Sequence, residues 1–158
     1  RPRAWSITPV QSLAWTAMAT PGPPEAILLQ PALCRMTSFI EWLKEGSIRQ
    51  PYLVRYEQGC MAAAGVWSQW TDGEIVLDTC AMVTTNACKD FKPFHSRQPL
   101  LLNSDQANTW LEERADLKDL RELLKAPLPQ SMLVRAINPS INNSHLKEAP
   151  SYLLTIVC

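Results

Sequence analysis

Turn signals set the limits on this fold. Gly46-Ser47, Glu57-Gln58-Gly59 and Thr71-Asp72-Gly73 break the first half of the chain into short runs. Asp-Gly in particular favours the primed turn of a hairpin. The runs between these signals carry strand patterning. In Pro51 to Tyr56, Tyr52, Val54 and Tyr56 fall on one face and Leu53 and Arg55 on the other, as in a half-buried strand. Ala26 to Met36, Cys60 to Trp67, Glu74 to Thr85 and Met132 to Ile137 read as further strands. Residues 5 to 19 suit one irregular strand, and Tyr152 to Val157 an edge strand or a tail.

Helical signals come late. Asn103 is a good N-cap with Gln106 three residues on, the spacing of a capping box, and Ala107, Trp110 and Leu111 follow at helical spacing. Leu117, Leu120, Leu123 and Leu124 mark a second helix that runs until Pro127, and Asn86 to Phe91 one helical turn stopped near Pro93. Consecutive hairpins with helices grouped afterwards give an α+β fold with curved, mostly antiparallel, barrel-like sheets. At 158 residues a single domain spanning 1–158 is expected, with the Pro-rich stretch Thr20 to Pro24 too short for a linker.

Lys+Arg and Asp+Glu both number 15, so no global field favours nucleic acid or an anionic membrane, and a polyanion site has to be a local basic patch. The five cysteines (Cys34, Cys60, Cys80, Cys88 and Cys158) include no CxxC pair, and with two histidines they assemble no zinc spacing. Buried thiols in a reducing compartment are expected. No apolar run approaches the roughly 20 residues of a membrane helix, and no secretory leader is visible, so the expectation is a cytoplasmic protein without membrane, metal or cofactor. Motifs for nucleotide phosphates, serine hydrolysis and HExxH zinc are lacking.

Chemistry concentrates in Phe39-Ile40-Glu41-Trp42 and His95-Ser96-Arg97-Gln98-Pro99, each read as a titratable residue at a strand end. Desolvation between Ile40 and Trp42 would raise the pKa of Glu41 and suit it to proton transfer; the alternative is a surface glutamate. His95 is either a general acid/base or a hydrogen-bonded structural histidine. Arg97 either grips a phosphate bidentately or pairs with a carboxylate. Trp67 and Trp70 either stack on bases or pack in the core. His145 reads as a solvated loop residue, and Glu112, Glu113, Arg114 and Lys118 as an exposed helix face.

Order and spacing of these pieces resemble the SOS response-associated peptidase (SRAP) family. Leu33 to Trp42 is similar to that family's "RCLxPxxGFYEW", Lys44-Glu45-Gly46 with Gln50-Pro51-Tyr52 to "KxG…QPY", and Ala64-Gly65-Val66-Trp67 to "AGLW". Val83-Thr84-Thr85 is similar to "LTT", His95 to Pro99 to "HDRMP", and Trp110-Leu111 to the helical "WL"; Arg1 to Pro9 is a weaker echo of "RxNIAPTQ". The resemblance implies a DNA-damage protein that binds single-stranded DNA at abasic sites. In that family an N-terminal cysteine, exposed by removal of the initiator Met, closes a thiazolidine with the sugar aldehyde. The same machinery is linked to autoproteolysis. Carried over by position, Glu41 and His95 would be the acid/base pair, Thr84 would lie in the pocket, and Arg97 and Trp67 would meet DNA.

The sequence departs from that pattern in several places. It opens on Arg1 without "MCGR", and the "WGLxPxW…NAR.ET" block expected before Leu33 is missing. Thr37-Ser38-Phe39 replaces "DGF", His95-Ser96-Arg97 replaces "HDR", and Leu133-Val134 replaces "VS". Two expectations follow: a crosslinking monomer whose cysteine lies upstream of Arg1, or a catalytically inactive binding module of the same fold. A conventional intramolecular peptidase is a third.

Overall fold

The computed structural model describes residues 29–71, 74–112, 115–143, 145 and 156–157. The irregular strand expected over 5 to 19, the Pro-rich stretch and Asp72-Gly73 lie outside the described residues. The fold is α+β. The strands are β1 (Gln30–Met36), β2 (Phe39–Glu45), β3 (Ile48–Tyr56), β4 (Met61–Thr71), β5 (Val76–Met82), β6 (Thr84–Asn86) and β7 (Arg97–Pro99), followed by β8 (Met132–Ala136) and β9 (Ile156–Val157). Helices α1 (Ser104–Leu111) and α2 (Leu117–Leu123) precede β8. The strands form three open sheets, ordered β1-β4-β5, β2-β3-β8-β9 and β6-β7, so the described strands close no barrel. The chain divides into two compact units, each built from three segments.

The first unit comprises Arg1–Cys34, Ala62–Thr85 and Pro99–Ala126. Its core gathers Ala64, Leu100, Leu102, Ala107, Trp110 and Leu123, with Leu33, Val66 and Val83 packed against them. Strand β4 is rich in small residues because its neighbours come close. A Cβ on Gly65 would sit 3.1 Å from Cys34 Sγ and 3.2 Å from Ala81 O. The indole N–H of buried Trp110 donates to Gly65 O (3.0 Å) and Ala32 O (3.1 Å), tying α1 to two strands. The capping box forms as expected. Asn103 Oδ1 accepts from Gln106 N–H and Gln106 Oε1 from Asn103 N–H, both at 2.9 Å. Asp116 caps α2 by accepting from Lys118 N–H, and at the other end Thr85 Oγ1 donates to Leu124 O at 2.7 Å. The stretch read as one strand from Glu74 to Thr85 breaks at Val83. Its N–H still donates to Ala64 O, the next pair of the β4–β5 register, but its carbonyl accepts from Leu100 N–H while Leu100 O accepts from Ala64 N–H.

The second unit comprises Arg35–Met61, Asn86–Gln98 and Pro127–Cys158. Its sheet is antiparallel: Glu41 opposes Tyr52, Trp42 opposes Pro51, Tyr52 opposes Ala136, and Val134 opposes Ile156. Strand β3 is not half-buried as its alternation predicts. Pro51, Tyr52, Leu53 and Val54 are all buried, so both faces of β3 are covered, while its edges are paired with β2 and β8. Gly59 turns at φ 78°, in the left-handed region where a Cβ is disfavoured, but this turn closes no hairpin. Strand β3 lies in one sheet and β4 in another.

A proline on an inner strand has to be explained, since it cannot donate to the ladder. Ile137 N–H donates to Pro51 O at 3.0 Å, and the reciprocal donor to Ile137 O would be the N–H that Pro51 lacks. The side chain of Gln50 supplies it: Nε2 lies 2.8 Å from Ile137 O and 2.9 Å from Pro51 O. On the other side of the strand pair, the Trp42 N–H points off the sheet edge, where Glu41 Oε1 accepts it at 3.2 Å.

Candidate functional site

Glu41 is the third residue of β2, inside the strand rather than at its end, and is half-buried. Alternation puts it on the same face as Phe39, and register adds Tyr52 and Val54 from β3. That face holds down the turn segment that carries His95. The Phe91 ring meets Phe39 edge-on at 6.1 Å, and the Phe94 ring meets Tyr52 at 4.8 Å and 62°. Phe91 and Phe94 also touch each other at 5.9 Å. Such pairs contribute roughly 0.5–1.5 kcal/mol each beyond the area they bury. The segment folds as successive turns, with Lys92 N–H on Cys88 O (2.9 Å) and Phe94 N–H on Phe91 O (2.9 Å). Buried Gln98 closes it: its Oε1 accepts from Cys88 N–H at 2.8 Å. The tyrosine opposite Glu41 therefore packs against the residue next to His95.

His95 is exposed, and its ring is oriented by one nitrogen. Nδ1 lies 3.0 Å from Arg97 N and 2.9 Å from Arg97 O. With Nδ1 accepting from Arg97 N–H, Nε2 of the neutral ring carries the proton. With Nδ1 donating to Arg97 O, Nε2 is the basic nitrogen. In both tautomers Nε2 is the atom left to meet a ligand, as a proton shuttle requires. Arg97 is half-buried at the start of β7. Thr84 opens β6 and Trp67 lies in β4 opposite Cys80, both half-buried and both in the first unit.

Sequence reading passed over the opposite face of β2. Trp42 remains 41% exposed although its indole N–H donates to Asn142 Oδ1 at 2.8 Å. Asn142 Nδ2 donates to Arg49 O at 2.9 Å, so both ends of the amide are committed and the indole is fixed in place. Trp42, Arg49, Ile141 and Asn142 line a cleft of about 490 Å³. Alternation around Glu41 was the available signal, because it sends Trp42 to the other face.

The thiols also depart from expectation. Cys60 is exposed, because it follows the Gly59 turn, while Cys34, Cys80 and Cys88 are half-buried and free. Burial pushes the Cys34 thiol up, and Cys80 adds to the shift. Among the described residues no three His, Cys, Asp or Glu side chains cluster as metal ligands, and no helix is long and apolar enough to cross a membrane.

An α+β fold that holds a glutamate on a sheet face beside a histidine-bearing turn defines the class, and the comparisons place it. Residues 25–144 match the family described as SOS response associated peptidase (SRAP), and the chain belongs to that family. It is 25% identical over 127 residues to the abasic site processing protein YoaM of Bacillus subtilis, covering 73% of this chain and 55% of that one. It is 29% identical over 97 residues to the abasic site processing protein YedK of Escherichia coli, covering 58% and 42%. The chain thus spans about half the length of these curated relatives. Its fold is similar to a protein from Bacteroides thetaiotaomicron (TM-score 0.66, 20% identity, 83% of this chain and 60% of the other). It is also similar to one from Bordetella bronchiseptica (TM-score 0.58, 22% identity, 69% and 55%).

Proposed function

We propose that this protein acts in the response to DNA damage by binding single-stranded DNA at abasic sites and joining them covalently. Family membership and the names of the two curated relatives support the DNA-damage reading. The observation that carries the site is the pinning of the His95 turn onto the Glu41 face through Phe39–Phe91 and Tyr52–Phe94. Condensing an amine and a thiol with an aldehyde expels water from a carbinolamine. That step needs an acid for the leaving oxygen and a base for the nitrogen. Glu41 and His95 Nε2 are a carboxylate and an imidazole suited to divide those transfers, with the thiol and amine supplied by an N-terminal cysteine upstream of Arg1. By position in the family pattern, Thr84 is proposed as a pocket residue, Arg97 as a phosphate contact and Trp67 as a base contact. Peptide cleavage ahead of the cysteine is the reaction the family name implies. The protein works as a cytoplasmic monomer built on one SRAP-like domain.

The test uses protein expressed from its native start codon and single-stranded DNA with one abasic site. A heat-stable shifted band on a denaturing gel is expected. Glu41→Gln should slow band formation by about tenfold or more with the fold intact, and an unchanged rate would remove Glu41 from the mechanism. Binding without any covalent band, from protein of verified mass, would make this an inactive module of the same fold.

A further inference from the structure

The register of β2 on β3 sets Lys44 directly opposite Arg49. Like charges facing each other across an antiparallel pair destabilise the sheet, where an opposite pair would have helped. Both residues are exposed, and among the described residues no carboxylate pairs with either. Alternation places Ile40, Trp42 and Lys44 of β2 on one face with Arg49, Pro51, Leu53 and Arg55 of β3, and none of these seven is acidic. Glu41 is on the other face. In a chain whose charges sum to zero, this cationic face is a segregation rather than an excess. Arg55 is occupied at the far end, where its Nη1 donates to Tyr56 O and Glu57 O. Lys44 and Arg49 therefore stand beside the exposed Trp42 ring that Asn142 fixes.

We infer that Lys44 and Arg49, with Trp42 beside them, form a phosphate track that carries single-stranded DNA along the face of β2 opposite Glu41. The track rests on the DNA-binding reading above and extends it to a second surface. A single strand fits this chemistry better than an acidic protein does. Trp42 and Lys44 are two residues apart on one strand, about 7 Å, on the order of one extended nucleotide step. An aromatic face beside paired cations takes a base and its flanking phosphates together. A bound phosphate also offsets the repulsion between the two cations.

The experiment measures binding of a fluorescent oligothymidylate across a salt series, with and without a tetrahydrofuran abasic analogue. Wild type is compared with Lys44→Gln/Arg49→Gln and with a charge-matched control on α2, Lys118→Gln/Arg121→Gln. Each single-strand phosphate contact contributes about 0.7 to the slope of log K against log salt, so the double variant should lose about 1.4 of slope. The control should lose none. Thermal stability should stay level or rise, since a repulsive pair has been removed, and at saturating single-stranded DNA carrying a natural abasic site the covalent band should persist. A slope unchanged in the double variant, or lowered equally in the control, overturns the track while leaving the abasic-site reading in place. If wild type binds neither oligonucleotide, both readings fall.

Discussion

Replacing Gln50 with leucine tests the account of how an inner strand tolerates Pro51. Leucine keeps nearly the same volume but removes the amide that stands in for the missing N–H. Two hydrogen bonds go, at 2.8 and 2.9 Å, with unequal consequences. Pro51 O still accepts from Ile137 N–H, whereas Ile137 O, on a residue that is 0% exposed, loses the donor identified for it. An orphaned buried carbonyl costs about 1–3 kcal/mol, so Gln50→Leu should lower stability by about 2 kcal/mol. That is roughly a thirtyfold shift in the unfolding equilibrium and a fall in Tm of about 4–8 °C for a chain of this size. Urea unfolding should show the loss in the midpoint with the m-value unchanged.

The decisive comparison is a double-mutant cycle with Pro51→Ala, which restores the backbone donor. In that background the new N–H reaches Ile137 O directly, and Gln50→Leu should cost under about 0.5 kcal/mol, leaving a coupling of well over about 1 kcal/mol. Whatever Pro51→Ala loses in ring packing cancels in the cycle. An equal cost of Gln50→Leu in both backgrounds would refute the substitution argument, as would a cost near zero in the wild type.

Two further substitutions probe the packing of each unit. Gly65→Ala puts a methyl against Cys34 Sγ at 3.1 Å and the Ala81 carbonyl at 3.2 Å, and the backbone oxygen cannot move aside. A loss of about 1–3 kcal/mol is expected from overpacking, and recovery in combination with Cys34→Ala would show how much belongs to the sulfur; calorimetry reads both. Burial pushes the Tyr56 phenol up to about 12, and its hydroxyl has no hydrogen-bond partner among the described residues. Because the unfolded phenol ionises near 10 and the folded one later, stability should fall as pH rises from about 10 to about 12. Tyr56→Phe should remove that part of the fall without lowering stability at neutral pH, whereas an identical alkaline profile in the variant would mean that Tyr56 does not cause it.

Local signals in the sequence matched the structure wherever the determinant is local. The Asn103–Gln106 capping box and the Leu117 helix are set by residues within one turn of each other, and both form. What escaped prediction depends on partners distant in sequence. Strand β3 read as half-buried because alternation reports one covered face, and nothing local reveals that Pro51 and Leu53 on the other face are buried as well. The Glu74 to Thr85 run read as one strand because Val83 is a good strand former. The strand ends there because Leu100, distant in sequence, takes the Val83 carbonyl and the Ala64 N–H that would have bonded each other.

The same distinction explains the site. Glu41 and His95 were legible as a motif, with the wrong local setting. Glu41 is inside β2 rather than at its end, and what packs the turn before His95 onto the sheet is a set of aromatic contacts spanning Phe39, Tyr52, Phe91 and Phe94. Trp42 and Lys44 were present in the motifs as letters, but their meaning as a surface needs the Lys44–Arg49 register and the long-range bond from Trp42 to Asn142. Two neighbouring residues of one strand, Glu41 and Trp42, thereby serve opposite faces. A linear motif is blind to that separation because a strand changes face at every residue. Register against β3 converts the pair of letters into two surfaces: one on which Phe39 and Tyr52 hold the turn before His95, the other where an indole stands beside Lys44 and Arg49.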